Sequence, residues 1–234
     1  MNQIEISVVI PCYNEEKILP KSIKALERFF YIHRKNFLYE LIFIDDGSTD
    51  STLELLNSYA ESGKNIRVLN YKYNVGKGHA VRRGLNHAKY NNILVLDADL
   101  SVRPDEVLSV FERYELDRPE SFIVCGIRKY AVPQTKIRIF LGKAYSLLHK
   151  VLLNVGVWDS QCPLKLLHNI SDEFVGELKI DGFAYDLELL YRAKKKGIHI
   201  LPLVVSYHNE PDSRVTFFKV LEMFVDTIKI RFLK

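Results

Sequence analysis

Asp97 and Asp99 stand two residues apart at the end of the apolar run Ile93-Leu94-Val95-Leu96. The run is too short for an amphipathic helix and reads as a buried strand. In an extended chain, side chains two apart share a face. The two carboxylates would then converge at the carboxyl end of a strand, where open α/β sheets bind ligands. A pair of hard oxygen donors there suits Mg²⁺ or Mn²⁺ holding a substrate phosphate. Taken alone, the triplet Asp97-Ala98-Asp99 reads more readily as surface aspartates in a turn. Its neighbours in sequence reverse that balance.

Two further polar clusters follow strand-like runs: Pro11-Cys12-Tyr13-Asn14-Glu15-Glu16 and Asp45-Asp46-Gly47-Ser48-Thr49-Asp50. Their carboxylates and hydroxyls suit ribose and base donors, and Tyr13 offers an aromatic face. Asp, Gly and Ser also form turns and helix caps, a role compatible with binding. A third segment, Asn74-Val75-Gly76-Lys77-Gly78-His79-Ala80, precedes a helix. Its glycines would let backbone approach a ligand, and the helix N-terminus favours anions. The spacing matches neither the P-loop nor the dinucleotide fingerprint.

The elements that must position these clusters alternate. Strands are expected at 5–11, 40–45, 66–71, 93–97 and 122–126, with helices near 15–33, 50–62, 77–90 and 104–115. Pro104, early in the last of these, marks a helix start. Alternation predicts a mostly parallel sheet with helices on both faces. Beyond about residue 127 the pattern changes to a basic, apolar-rich helix over 136–155 and a short segment, Asp159 to Leu167. A helix near 184–196, a strand near 198–207 and a helix near 215–232 follow. No linker interrupts the chain, so one domain over 1–234 is expected, with halves 1–126 and 127–234. In the last helix Phe217, Leu221, Phe224, Val225, Ile228 and Phe232 form an apolar stripe, with Lys219, Glu222, Asp226 and Lys229 roughly opposite.

Composition excludes several classes. Of 234 residues, 47% are hydrophobic, which suffices for a core. Net charge is only +4, so wholesale nucleic-acid binding is not implied. Cys12, Cys125 and Cys162 form no zinc spacing and fit a reducing compartment as buried residues. No signal peptide or membrane-spanning run is expected.

The ordered set VVIPCYNEE, IDDGSTDST, NVGKGHAVRRG and LVLDADLSVRPDE resembles family 2 glycosyltransferases with the GT-A fold. It is most similar to the polyprenyl-phosphate hexose synthases, which make dolichyl-phosphate mannose or glucose. The likeness continues through Gly126-Ile127-Arg128, Arg138, Asp159 to Leu166 and Phe183 to Leu190, and so spans nearly the whole chain. The resemblance implies that Pro11, Tyr13, Glu15, Lys77 and Ala98 line the nucleotide-sugar site, with Asp45 or Asp46 at the base. It implies that Asp97 and Asp99 meet the ribose and the metal. Arg128, Arg138, Lys165 and Arg214 would bind the acceptor phosphate, with Asp159 and Asp186 also at the catalytic centre. Gln161, Cys162 and Lys165 lean toward the glucose-transferring type, although Pro163 and Leu164 stand where those relatives have Gly-Phe. Arg214 replaces a lysine of the family pattern.

The expected reaction is an inverting, metal-dependent transfer of a hexose from a UDP or GDP sugar to a polyprenyl phosphate. The enzyme would sit peripherally on the cytoplasmic face of a membrane, through the helices near 136–155 and 215–232. The alternative is transfer to a sugar hydroxyl of a cell-surface glycan. That reaction needs a carboxylate base, for which Asp181, Asp186 and Glu188 are the candidates.

Overall fold

In a computed structural model the structure describes residues 3–63, 65–113, 120–130, 136–208 and 217–233, with the backbone only for 113, 130, 136–141, 217 and 218. Strands β1 (Ile4–Cys12), β2 (Phe37–Asp45), β3 (Ile66–Asn70) and β4 (Asn92–Val95) alternate with helices α1 (Leu19–Ile32), α2 (Thr52–Ser62) and α3 (Lys77–His87). Then come α4 (Glu106–Arg113), β5 (Phe122–Tyr130), α5 (Lys136–Leu152), β6 (Lys165–His168) and α6 (Asp172–Glu177). Helix α7 (Tyr185–Lys195), strand β7 (His199–Tyr207) and helix α8 (Phe217–Phe232) complete the chain. One seven-stranded sheet has the order β3-β2-β1-β4-β6-β5-β7, and strands from both halves of the sequence enter it.

Alternation along each strand builds a core on each face of the sheet. Ile6, Val8, Ile10, Leu41, Phe43 and Leu94 pack with α1, α2 and α4. Val9, Ile42, Ile44, Ile93, Val95 and Ile123 pack with α3, α6 and α7. Helices therefore cover both faces, as the alternating pattern predicts. Gly84 permits close packing of α3: a Cβ there would lie 2.3 Å from Val9 Cγ1.

Two elements were not expected. Strand β6 runs antiparallel between β4 and β5, within the segment read only as a connection. It has four residues, begins with Lys165 and ends with His168, so its apolar signal is only Leu166-Leu167. Helix α6 is similarly short and is capped by Ser171, whose side chain accepts from Phe174 N. Helix α3 ends at His87, short of the expected 90, because Ala88 is extended and Lys89 N donates to Glu40 and Ser7.

Helix α8 turns most of its apolar stripe away from the protein. Asp226, Thr227 and Ile230 are buried, whereas Leu221, Val225, Ile228 and Phe232 are 48%, 52%, 50% and 78% exposed. Thr227 bonds to Tyr145 of α5 (Oγ1 to Oη, 3.2 Å), and Phe224 meets the Tyr145 ring edge-on. Asp226, expected outside, is buried and paired with Lys229 at 2.8 Å. On α5, Leu147 and Val151 are also exposed, and so is nearby Trp158. Among the described residues no helix is long and apolar enough to cross a membrane.

Candidate active site

Strands β1 to β4 are mutually parallel, and β5 shares their direction because β6 is antiparallel to both β4 and β5. The segments after β1, β2 and β4, and the last residues of β5, therefore open at one edge. The first two are laced together. Asp46 N donates to Cys12 O at 2.8 Å. Asn14, in the left-handed region at φ 55°, donates its N–H to Ser48 Oγ and accepts from Thr49 N. Glu15 N donates to Thr52 Oγ1, and Glu16 accepts from Ser51 N. Pro11, Tyr13 and Glu15 lie half-buried along this seam.

Asp45 and Asp46 divide their work. Asp46 accepts from Asn74 Nδ2 at 2.8 Å, Val75 N at 3.0 Å and Gly76 N at 2.8 Å. Burial pushes its carboxyl up against the pull of these bonds, and the net shift is upward. Asp46 thus pins the segment that precedes α3. Asp45 is 1% exposed and accepts from Ser48 N through Oδ2, while its buried Oδ1 has no partner among the described residues. Of the two, Asp45 retains acceptor capacity for a ligand.

The segment 74–80 is not the open anion cradle that its glycines suggest. The N–H groups of Gly78 and His79 donate to Asp181 O at 2.7 and 3.2 Å. A Cβ at Gly76 would lie 2.3 Å from that oxygen, and one at Gly78 2.3 Å from Ile180 O. The close backbone approach is made by the chain's own segment 180–182, which consumes the first donors of α3. What reaches the site is the Lys77 side chain. Its ammonium lies 2.5 Å from Asp97 Oδ1 and about 6 Å from the Phe183 and Tyr185 rings. Burial pulls the Lys77 pKa down, but the charges of Asp97 and then Asp186 outweigh it, and the net shift is up.

Asp97-Ala98-Asp99 lies in a turn beyond β4, so the expected extended geometry is corrected. Leu100 N donates to Asp97 O at 3.0 Å, and Leu100 is left-handed at φ 49°. The turn still brings the carboxylates together. Burial, then the charge of Asp97, raises the Asp99 pKa, which bonds to Ser101 N act to lower. Ala98 is buried in the core and anchors the turn. Ser101 O accepts from His208 N at the end of β7, tying this turn to the second half of the chain.

In that half Arg128 and Asp159 are partners. Asp159 accepts from Arg128 N at 2.8 Å, Nε at 2.9 Å and Nη2 at 2.6 Å, a bidentate fork reinforced by backbone. The guanidinium also lies 5.4 Å from the Tyr207 ring. Lys165, expected at the acceptor, is corrected to an interior position. Its side chain is 0% exposed, and its ammonium contacts Asp186 Oδ1 at 2.8 Å and Cys162 O at 2.5 Å. Burial would lower its pKa, but Asp186 outweighs this and holds it above the lysine range.

Asp186 and Glu188, which resemble helix-surface charges in sequence, are both buried. Glu188 accepts from Lys179 N, Ile180 N and Arg192 Nε, so it is a strut for the segment before α7 and not a base in waiting. Asp181 pairs with Arg82 at 2.7 Å. Gln161 is half-buried, with Nε2 unpartnered among the described residues. Arg138 lies on α5 with only its backbone described, and Arg214 lies outside the described residues. The anchoring roles of Asn74, Asp46 and Arg82 escape sequence reading, because a surface loop and a folded one share the same polar composition.

The family model described as "Glycosyl transferase family 2" matches residues 7–166. A dolichyl-phosphate beta-glucosyltransferase of Dictyostelium discoideum is 32% identical, with 99% of this chain and 75% of the relative covered. The human enzyme of the same name is 31% identical, with 97% and 75% covered. Among solved structures, glucosyl-3-phosphoglycerate synthase from Mycobacterium tuberculosis in complex with uridine diphosphate superposes with a TM-score of 0.70 at 19% identity. That match covers 97% of this chain and 78% of the other. Mannosyl-3-phosphoglycerate synthase from Rubrobacter xylanophilus gives a TM-score of 0.68 at 16% identity, with 97% and 72% covered. The mixed sheet with helices on both faces is thus the GT-A arrangement.

Proposed function

The chain belongs to glycosyl transferase family 2, and from that membership we propose that it moves a hexose from a nucleotide-diphosphate sugar to a polyprenyl phosphate. The observation that carries this reading is the gathering of Asp45, Lys77, the Asp97–Asp99 turn and the Arg128–Asp159 fork at one sheet edge. Asp45 meets the base through its Oδ1, which has no partner among the described residues and is an acceptor suited to an imide N–H. Pro11, Tyr13 and Glu15 line the nucleoside pocket, and Ala98 sets the turn beside it. The names of the dolichyl-phosphate glucosyltransferase relatives support a glucose donor and a polyprenyl-phosphate acceptor.

Asp97 and Asp99 fit Mg²⁺ or Mn²⁺. They are hard oxygen donors carried on one turn, with Asp99 near enough to feel the charge of Asp97. Among the described residues no third His, Cys, Asp or Glu joins them, as suits a site completed by substrate phosphate. Held by these two residues, such an ion would supply neutralising charge to the departing diphosphate.

Arg128 orients the acceptor phosphate, with Asp159 fixing the guanidinium. A phosphate monoester is already anionic near neutral pH, its second pKa being about 6. Displacement with inversion then needs no strong base. The occupancy of Asp181, Asp186 and Glu188 by Arg82, Lys165 and the 179–180 backbone supports this over a hydroxyl acceptor, which requires a free carboxylate. Residues 1–234 act as one unit, and Arg138 and Arg214 extend the phosphate site. The exposed apolar residues of α5, α8 and Trp158 rest on the cytoplasmic face of the membrane. A melting-temperature panel of UDP and GDP sugars with Mn²⁺ tests the donor reading. At least one sugar nucleotide should raise the wild-type midpoint but not that of Asp99→Ala. A panel with no shift refutes it.

A further inference from the structure

We propose that Lys77 is a built-in counter-ion for Asp97: its ammonium holds the carboxylate that a divalent cation needs, and a diphosphate draws it away. A cation would then be taken up with the nucleotide and not ahead of it. The inference rests on the reading of Asp97 and Asp99 as cation ligands and assigns their regulation to a neighbouring side chain.

The geometry points to competition for one oxygen. Lys77 Nζ lies 2.5 Å from Asp97 Oδ1, with the Lys77 side chain 18% exposed and that of Asp97 29% exposed. An ammonium at that distance takes up one lone-pair direction of that oxygen, and its positive charge opposes a divalent ion approaching either oxygen of Asp97 or the neighbouring Asp99. The backbone around Lys77 offers no retreat. Gly76 and Gly78 are wedged against Asp181 O and Ile180 O, and two N–H groups of α3 are bonded to Asp181 O.

Only the head of the side chain is free to change partners. Its four-carbon stem gives it that reach, since lysine is a compact charge on a flexible chain. Asp186 also attracts Lys77, but its Oδ1 is already paired with buried Lys165, and Asp97 is the carboxylate in contact with the Lys77 ammonium. Asp97 is therefore the group that Lys77 releases when a stronger anion arrives. A diphosphate brings both the acceptor for the ammonium and the remaining oxygen ligands for the cation.

Titration of the full chain with MnCl₂, followed by the electron paramagnetic resonance of free Mn²⁺ with and without UDP, tests this. Wild type should bind Mn²⁺ weakly alone and about tenfold or more tightly with UDP, within the usual range of coupling between sites. Lys77→Met should tighten Mn²⁺ alone by about tenfold and shrink the UDP enhancement in proportion. Lys77→Arg, which keeps the charge, should behave as wild type with Mn²⁺ alone. Melting curves of each variant establish that it is folded. If folded Lys77→Met binds Mn²⁺ alone no more tightly than wild type, or Lys77→Arg matches Lys77→Met, the counter-ion role is overturned while the cation site stands. If wild type with UDP binds no Mn²⁺, the cation reading itself fails and the proposal with it.

Discussion

Replacing Lys165 by methionine isolates the innermost charge pair. Lys165 begins β6, lies beside Val95 and Cys125, and exposes none of its side chain. Methionine fills a similar volume without the ammonium, leaving Asp186 buried beside an apolar neighbour. At 2.8 Å an effective dielectric of about 20 gives ~6 kcal/mol of attraction. Breaking a buried pair by removing one partner costs ~3–5 kcal/mol, since the remaining charge is uncompensated. For a chain of 234 residues, each kcal/mol corresponds to ~2–4 °C, so the midpoint should fall by ~6–20 °C. The double variant Lys165→Met/Asp186→Leu removes both charges and should recover most of that loss. Scanning calorimetry of wild type, both singles and the double supplies the cycle. A Lys165→Met midpoint within ~2 °C of wild type, or a double variant no more stable than the single, refutes the assignment of Lys165 to the interior.

Asp46→Ala frees the donors of Asn74, Val75 and Gly76 and should cost ~1–3 kcal/mol, measured by urea denaturation; no loss would argue against the anchoring role. Burial lowers the His149 pKa, so its neutral form is favoured in the fold. Stability should then hold above the ordinary imidazole range and fall as pH drops through it, and His149→Phe should flatten that part of the melting-temperature profile. Val225→Glu/Ile228→Glu changes two exposed positions of α8. It should abolish flotation with anionic liposomes and leave the melting temperature within ~2 °C of wild type. Retained flotation would remove α8 from the membrane contact.

Residues 1–126 are legible in sequence because most strands there are runs of apolar residues closed by polar ones. Ile4 to Cys12 and Leu41 to Asp45 illustrate this, and their parallel order follows from the intervening helices. The candidate residues of that edge are brought together as their order suggests. Misjudged features depend on contacts distant in sequence. Lys165 reads as an acceptor-phosphate ligand until Asp186, twenty-one positions on, is seen beside it. The glycines at 76 and 78 suggest a ligand, yet segment 180–182 occupies the space they leave. The stripe on α8 is correctly periodic, but Thr227 and Tyr145 decide which side turns inward.

Transfer of sugar into lipid is the reaction that decides the acceptor. Purified protein with Mn²⁺, a radiolabelled nucleotide sugar and a polyprenyl phosphate should carry label into the organic phase. Omitting the phosphate acceptor or substituting Asp99→Ala should prevent it. Label that enters only water-soluble glycans, or reaches the organic phase without the phosphate acceptor, would contradict the account.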